Sequence, residues 1–342
     1  VRELRRLGVA GTIVASVLVL ALSACSSSGT DARQVPGTSA SAGSTSAPSS
    51  TSGSTAPSAT ASAKPKKHYP TGPPMQLQSI APLSGATVGV AMPISIVFTD
   101  PVATSARAKI EKHLTLTSST PVTGAWHWFS DRRVDFRPQS YWTPGTTVKM
   151  VADLDHVGDG NGRYGTRTYT RDFTIGDDVR THVYVKQHKT VVTRDGRVLR
   201  TMPSDAGSPD WPSWDGTMAV VNKSRTIRMT SCSVGIACKK NNPDYYDLTL
   251  PWDVRITWSG TFLHYSTGDP NPGHSYGSHG CVHLSMADAK WYYNLSKEGD
   301  PVTVTGSPRG KADGDNGYAD FNLTWSQWLA GSAAGQVTTQ AA

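Results

Sequence analysis

Cysteine is scarce in this chain. There are four among 342 residues, and no two are spaced as CxxC, so the usual mark of a structural zinc site or a dithiol redox centre is missing. Acidic residues are outnumbered, 26 against 33 basic ones, which leaves a net charge of +7. No stretch interleaves basic with aromatic residues, so nothing points to nucleic acid. The modest basic excess suits anionic lipid or wall polymer instead. Large apolar side chains are nearly lacking from residues 26–67, which are almost entirely Ser, Thr, Ala, Gly and Pro. Such a stretch cannot bury a core and reads as a disordered tether, taken to about residue 74.

What precedes the tether is different. Arg2, Arg5 and Arg6 lead into an apolar run from Leu7 to Leu22. This is the charged and apolar order of an export signal, too short and too rich in small residues for a retained membrane span. Its end, Leu22-Ser23-Ala24-Cys25, resembles a bacterial lipobox, in which the cysteine is lipidated and becomes the mature N-terminus. The plainer alternative is a simple secretory signal with Cys25 incidental. Residues 1–25 are accordingly expected to be a lipoprotein signal peptide. The folded part would be extracytoplasmic, held by a lipid at the outer face of the membrane and reaching into the wall. In that oxidising setting Cys232 and Cys238, in "SCSVGIAC", can pair as a disulfide or stay as two thiols, and pairing is favoured.

The expected fold is mainly β. Short β-like runs such as "ISIVF" (94–98), "RVDFRP" (133–138) and "TRDFTI" (170–175), separated by Pro/Gly turns, suggest a β-sandwich over 75–176. His113, His127 and His156 are scattered through it and form no catalytic cluster. A second β-rich domain spans 177–306. Its strands include "TVVT" (190–193), which leads through Asp195-Gly196 to "RVLRTMP", and "DVRITWSGTFLHYS" (253–266), interrupted at Gly260. One helix is clear: Leu284, Ala287, Trp291 and Leu295 form an apolar stripe, Ser285 with Asp288 marks its start, and Gly299 its stop. Trp325 and Trp328 lie on a short helical turn in the 307–342 tail. That tail is expected to pack on the second domain, with its end disordered.

The chemistry converges on "SHGCVHL", residues 278–284. His279, Cys281 and His283 carry metal-ligand atoms, but the motif runs into a helix, and Gly280 suggests close backbone approach rather than a ligand cage. No metal and no other cofactor is expected. A buried packing cysteine is the bland alternative. A nucleophilic thiol fits better. The following helix N-terminus and the nearby imidazoles would lower its pKa, and N–H groups at Gly280 and Cys281 could form an oxyanion hole. The base need not be adjacent, and His264 ends a strand, which is a rigid platform for one.

His264, a gap, then Ser278-His279-Gly280-Cys281 resembles the signature of L,D-transpeptidases with a YkuD-type catalytic domain. "WDGTMAVVNK", "DVRITWSGTFLHYS" and "WYYNLSKEGDPVTV" extend the likeness. The whole plan resembles actinobacterial wall lipoproteins with an N-terminal immunoglobulin-like domain, over most of 76–330. The resemblance implies a cysteine acyltransferase acting on peptidoglycan stem peptides. Cys281 would take the acyl group of a tetrapeptide stem, release D-Ala and pass the acyl group to a side-chain amine, making 3→3 cross-links. Water or a protein amine as acceptor would make it an L,D-carboxypeptidase or a wall-attachment enzyme, and loss of chemistry a wall-binding lipoprotein. Carbapenem β-lactams become expected inhibitors.

By position, His264 would be the base, oriented by the backbone of Tyr265 or a neighbour. His279 would shape the pocket, Gly280 and Cys281 would face the oxyanion, and Ser278 would support them. Residues 229–252 would form a lid, with Met229 and Tyr246 meeting substrate and the Cys232–Cys238 pair bracing it. Tyr265 and His283 join the expected substrate contacts. His283 departs from the family, which usually has Asn or Arg there. His274 reads as an exposed loop residue.

Overall fold

The computed structural model describes residues 69–342. The signal-like segment, Cys25 and most of the tether lie outside these residues.

Residues 75–176 form a sandwich of two sheets. One sheet has the order 77–81, 94–98, 133–138, 123–128, 336–338, and the other 340–341, 114–118, 147–153, 168–175, 87–88. Strict alternation drives this layering: in Thr147–Asp153 the residues Val148, Met150 and Ala152 are buried and their neighbours are not. Trp126, Phe136 and Trp142 fill the space between the sheets. Helix α1 (Thr104–Lys112) has no counterpart in the sequence reading. Its one-sided burial, Ala106, Ile110 and Glu111, rests on too few apolar positions to show as a stripe.

The tail overturns the expectation made for it. Its first part does touch the catalytic domain, through bridges from Lys311 to Asp215 and from Tyr318 to Ala219. Helix α3 (Trp325–Ala330), however, packs on the sandwich, and strands 336–338 and 340–341 complete both sandwich sheets instead of being disordered. The reason lies in two buried groups. Trp328 is fully buried; it stacks on His127 at 4.6 Å and its Nε1–H donates to the Ala125 carbonyl at 2.9 Å. The Glu111 carboxylate accepts from the N–H groups of Ala333 (2.7 Å) and Ala334 (2.8 Å), from Ser332 Oγ (2.8 Å) and from Trp128 Nε1 (2.8 Å). A buried carboxylate needs such donors, and only the tail supplies enough of them.

The second domain is one nine-stranded sheet of order 216–219, 301–305, 179–184, 189–194, 197–205, 282–284, 262–265, 247–255, 222–230. Two of its pairings are parallel: 301–305 with 179–184, and 262–265 with 282–284. The Asp195-Gly196 hairpin has both residues at positive φ, 50° and 78°, as a type I′ turn requires. Helix α2 (Met286–Leu295) is capped by Ser285, whose Oγ accepts from Asp288 N–H at 3.2 Å. Its buried face carries Ala289 and Tyr292, and Trp291 and Leu295 of the expected stripe pack half-buried against the same core; Ala287 is exposed and Leu284 belongs to a strand. The Tyr292 hydroxyl finds Thr181 at 3.0 Å, which explains how a tyrosine holds the deepest position. Lys223 Nζ donates to the carbonyls of Tyr293 (2.7 Å) and Ser296 (2.5 Å) at the C-terminal end of α2, where a cation is favourable. Backbone bonds from Gly89 and Ala91 to Glu298 and Gly299 join the two modules.

Trp328→Ala should lower the unfolding free energy by about 3–5 kcal/mol, the range for truncating a buried tryptophan. Denaturant midpoints of the two proteins check this.

Candidate active site

The site is built on the parallel pair 262–265 and 282–284. Leu263, Val282 and Leu284 are fully buried in the core beneath the sheet. Alternation therefore turns His264 and His283 to the other face, and their strand register sets them opposite each other. Their rings meet edge to face with centroids 5.2 Å apart. Cys281 lies one residue before the second strand and shares the parity of His283. All three line a cavity of about 340 Å³ with Met229, Tyr246, Asp269 and Ser278.

The His264 ring is fixed by its own strand. Nδ1–H donates to the Tyr265 carbonyl at 2.7 Å, so Nε2 is left with its lone pair. The turn before Cys281 is held by Ser278, whose Oγ accepts from the Gly280 N–H at 3.1 Å and donates to the Cys281 carbonyl at 2.6 Å. Gly280 sits at φ +112°, which strains any side chain although a Cβ there would meet its neighbours only at ordinary contact distance, 3.7 Å or more. The Cys281 thiol donates to the Gly260 carbonyl at 3.6 Å. The Gly280 N–H is already taken by Ser278, which leaves the Cys281 N–H as the free member of the pair considered for an oxyanion.

Over this floor hangs the hairpin Asn222–Thr230 and Asp247–Arg255. The segment between its strands is folded back by a disulfide between Cys232 and Cys238. Met229 and Tyr246 project from it into the cavity. His279 faces this hairpin, with Tyr246 at 5.0 Å between ring centroids and Asp244 Oδ1 at 3.7 Å from Nε2. His283 is held apart from it, with Nδ1 3.0 Å from Asp269 Oδ2. The two motif histidines thus have separate carboxylate partners. Among the described residues, no three His, Cys, Asp or Glu side chains are arranged to hold a metal.

Residues 178–304 match the L,D-transpeptidase catalytic domain family (YkuD), and residues 25–158 a bacterial Ig domain. L,D-transpeptidase 1 of Mycobacterium tuberculosis is 35% identical over 239 residues, covering 68% of this chain and 88% of the relative. The chain belongs to the L,D-transpeptidase family. L,D-transpeptidase 2 of the same organism is 34% identical over 257 residues; the match covers 74% of this chain but 62% of that protein's length. The structure of the transpeptidase LdtMt1 in complex with imipenem superposes with a TM-score of 0.58 at 33% identity, over 68% of this chain and all of that one.

Desolvation disfavours the charged forms of both Cys281 and His264. Burial pushes the Cys281 thiol up to about 12, against a smaller opposing effect of the Phe262 backbone. Burial, with His283 beside it, pushes the His264 imidazole down to about 3. This differs from the lowered thiol expected from a helix N-terminus. A three-residue strand separates Cys281 from Ser285, so the α2 dipole begins too far away, and its influence fades beyond the first turn. Burial also raises Tyr246 to about 12 and lowers His283 to about 4.

Tyr265 supplies its carbonyl, but its side chain packs against the core and does not line the cavity, so it is not a substrate contact of the kind expected. His274 is exposed. Several polar residues at or beside the site carry no sequence signal: Asp269, Asp244 and the buried Asp205 and Asp253. Their partners lie far along the chain; Asp205, for instance, accepts from the N–H of Ser275, 70 positions on. Only the register of the sheet could have revealed them.

Alkylation of Cys281 by iodoacetamide should rise about tenfold per pH unit from pH 6 to 10, because the thiolate fraction grows steadily below a raised pKa. Rates measured across that range check it, and a plateau below pH 8 would instead indicate a thiolate–imidazolium pair.

Proposed function

We propose that the chain is a peptidoglycan L,D-transpeptidase that forms 3→3 cross-links through a Cys281 thioester. The observation that carries this reading is a single cavity lined both by the Cys281 thiol and by the His264 imidazole, whose tautomer is fixed by the Tyr265 carbonyl. His264 Nε2 takes the thiol proton as Cys281 Sγ attacks the carbonyl of the L-centre in the tetrapeptide stem. The Cys281 N–H faces the developing oxyanion. The same imidazole then gives its proton to the departing D-Ala amine, leaving the acyl group on sulfur. A side-chain amine of a second stem attacks the thioester and Cys281 is restored. Met229 and Tyr246 hold the stem under the hairpin, and His279 fixes the hairpin to the motif.

A resting neutral pair suits this chemistry. Proton transfer and attack occur together when substrate fills the cavity, and a desolvated thiol is protected from stray electrophiles. The imipenem complex of LdtMt1 supports carbapenems as ligands of this site. The Leu22–Cys25 lipobox and the tether support a protein anchored by lipid outside the cell membrane and reaching into the wall.

Cys281→Ala should lose all covalent mass gain from imipenem while keeping its fold. Intact mass spectrometry and circular dichroism test this, and a mass shift in the variant would refute the assignment of the nucleophile. Wild-type protein given purified tetrapeptide should yield dimer and D-Ala; tripeptide alone would move the reading to an L,D-carboxypeptidase.

A further inference from the structure

Transfer to an amine poses a proton problem that a single imidazole does not solve. A side-chain amine of a diamino acid is an ammonium ion at neutral pH. It must lose one proton before it can attack and a second as the new C–N bond forms. His264 can take only one of these, because the proton it accepts must go to the sulfur that departs.

The cavity holds a second imidazole built for the other. His283 lines it beside Cys281 and lies opposite His264 in the parallel register. Its Nδ1–H donates to Asp269 Oδ2 at 3.0 Å, so its Nε2 carries the lone pair. Asp269 lines the same cavity. A carboxylate on the far nitrogen stabilises the imidazolium that forms when Nε2 is protonated. Resting on the transpeptidase reading above, we infer that the His283–Asp269 pair is the base that deprotonates the acceptor ammonium, while His264 serves the cysteine.

The step balances. R–NH3⁺ gives one proton to His283 Nε2, forming an imidazolium beside Asp269. The neutral amine attacks the thioester carbonyl. Its second proton passes to His264 Nε2 and from there to Cys281 Sγ as the C–S bond breaks. The product is an amide, with the thiol restored, and His283 releases its proton to water.

Burial lowers the basicity of His283, but it lowers that of a bound ammonium for the same reason, since both acids are cations. Transfer between them moves a positive charge without creating one, and Asp269 favours its new position. The other charged or titratable groups near His283 are His264 and Asp205, opposite it on the two adjacent strands, and His279 in the motif; burial and then Asp205 push the Asp269 carboxyl up.

The test separates acylation from transfer. His283→Asn and Asp269→Asn proteins are compared with wild type in three reactions: acylation by imipenem, hydrolysis of tetrapeptide to tripeptide, and dimer formation from tetrapeptide. In both variants the ratio of dimer formation to acylation and to hydrolysis, measured on the same protein, should fall about a hundredfold below that of wild type, the usual contribution of a general base. Hydroxylamine, already unprotonated at neutral pH, should restore acyl transfer in the variants, as should raising the pH toward that of the free amine. A merely structural role would not respond to the acceptor's basicity. Normal dimer formation in His283→Asn, or an equal loss in all three reactions without hydroxylamine rescue, would overturn the inference. Failure of the wild-type protein to acquire imipenem would instead overturn the parent reading.

Discussion

The parallel pairing of strands 262–265 and 282–284 is the constraint on which the site depends. Parallel neighbours cannot be joined by a tight turn; the chain must cross over before it returns, commonly through a helix. Here residues 266–281 make that crossing without one. The loop is gathered around Asp205, which accepts from the N–H groups of Gly273 (3.0 Å) and Ser275 (2.9 Å), from Ser275 Oγ (3.1 Å) and from His188 (2.9 Å). Burial alone would raise this carboxyl, yet these bonds outweigh it and hold it below the ordinary aspartate range. One ionised side chain does the organising that a packed helix does elsewhere. The loop it holds carries Asp269 to His283 and ends at Ser278, where the motif turn begins.

The same arrangement explains why the reactive pair is quiet. His264 is buried and Cys281 half-buried on the cavity floor, and desolvation disfavours both charged forms. Nothing near the thiol reverses this. Arg255 is partly desolvated itself, and neither oxygen of the buried Asp253 has a protein partner, its carboxyl being raised to about 7 by burial. On the proposed reading, His264 therefore acts through the tautomer that the Tyr265 carbonyl fixes rather than through a standing charge.

Much of this was legible in the sequence because its signals are local. The Ser285 cap, the Asp195-Gly196 turn and the break at Gly260, where φ is +98°, each follow from the conformational preferences of a few neighbouring residues. The His264 and 278–281 elements were legible through family likeness. What escaped was set by distant partners. Trp258 continued the alternation of Val254 and Ile256, yet its strand ends at Arg255 and the ring is 47% exposed. Trp291 and Leu295 of the α2 stripe do pack on the core, but the deepest position is Tyr292, anchored by a hydroxyl on another strand. Trp328 was assigned to the wrong module because tryptophan spacing gives a burial requirement without naming the surface that meets it.

That last misreading touches how the molecule comes into being. Ser118 and Thr339 share a hydrogen bond across 221 positions, and each sandwich sheet takes a strand from residues 336–341. A module encoded early in the chain thus waits for residues made late to cover its edges, and meanwhile both edges are open templates for strand pairing. Folding of the sandwich cannot finish ahead of the catalytic domain that lies between its halves in sequence.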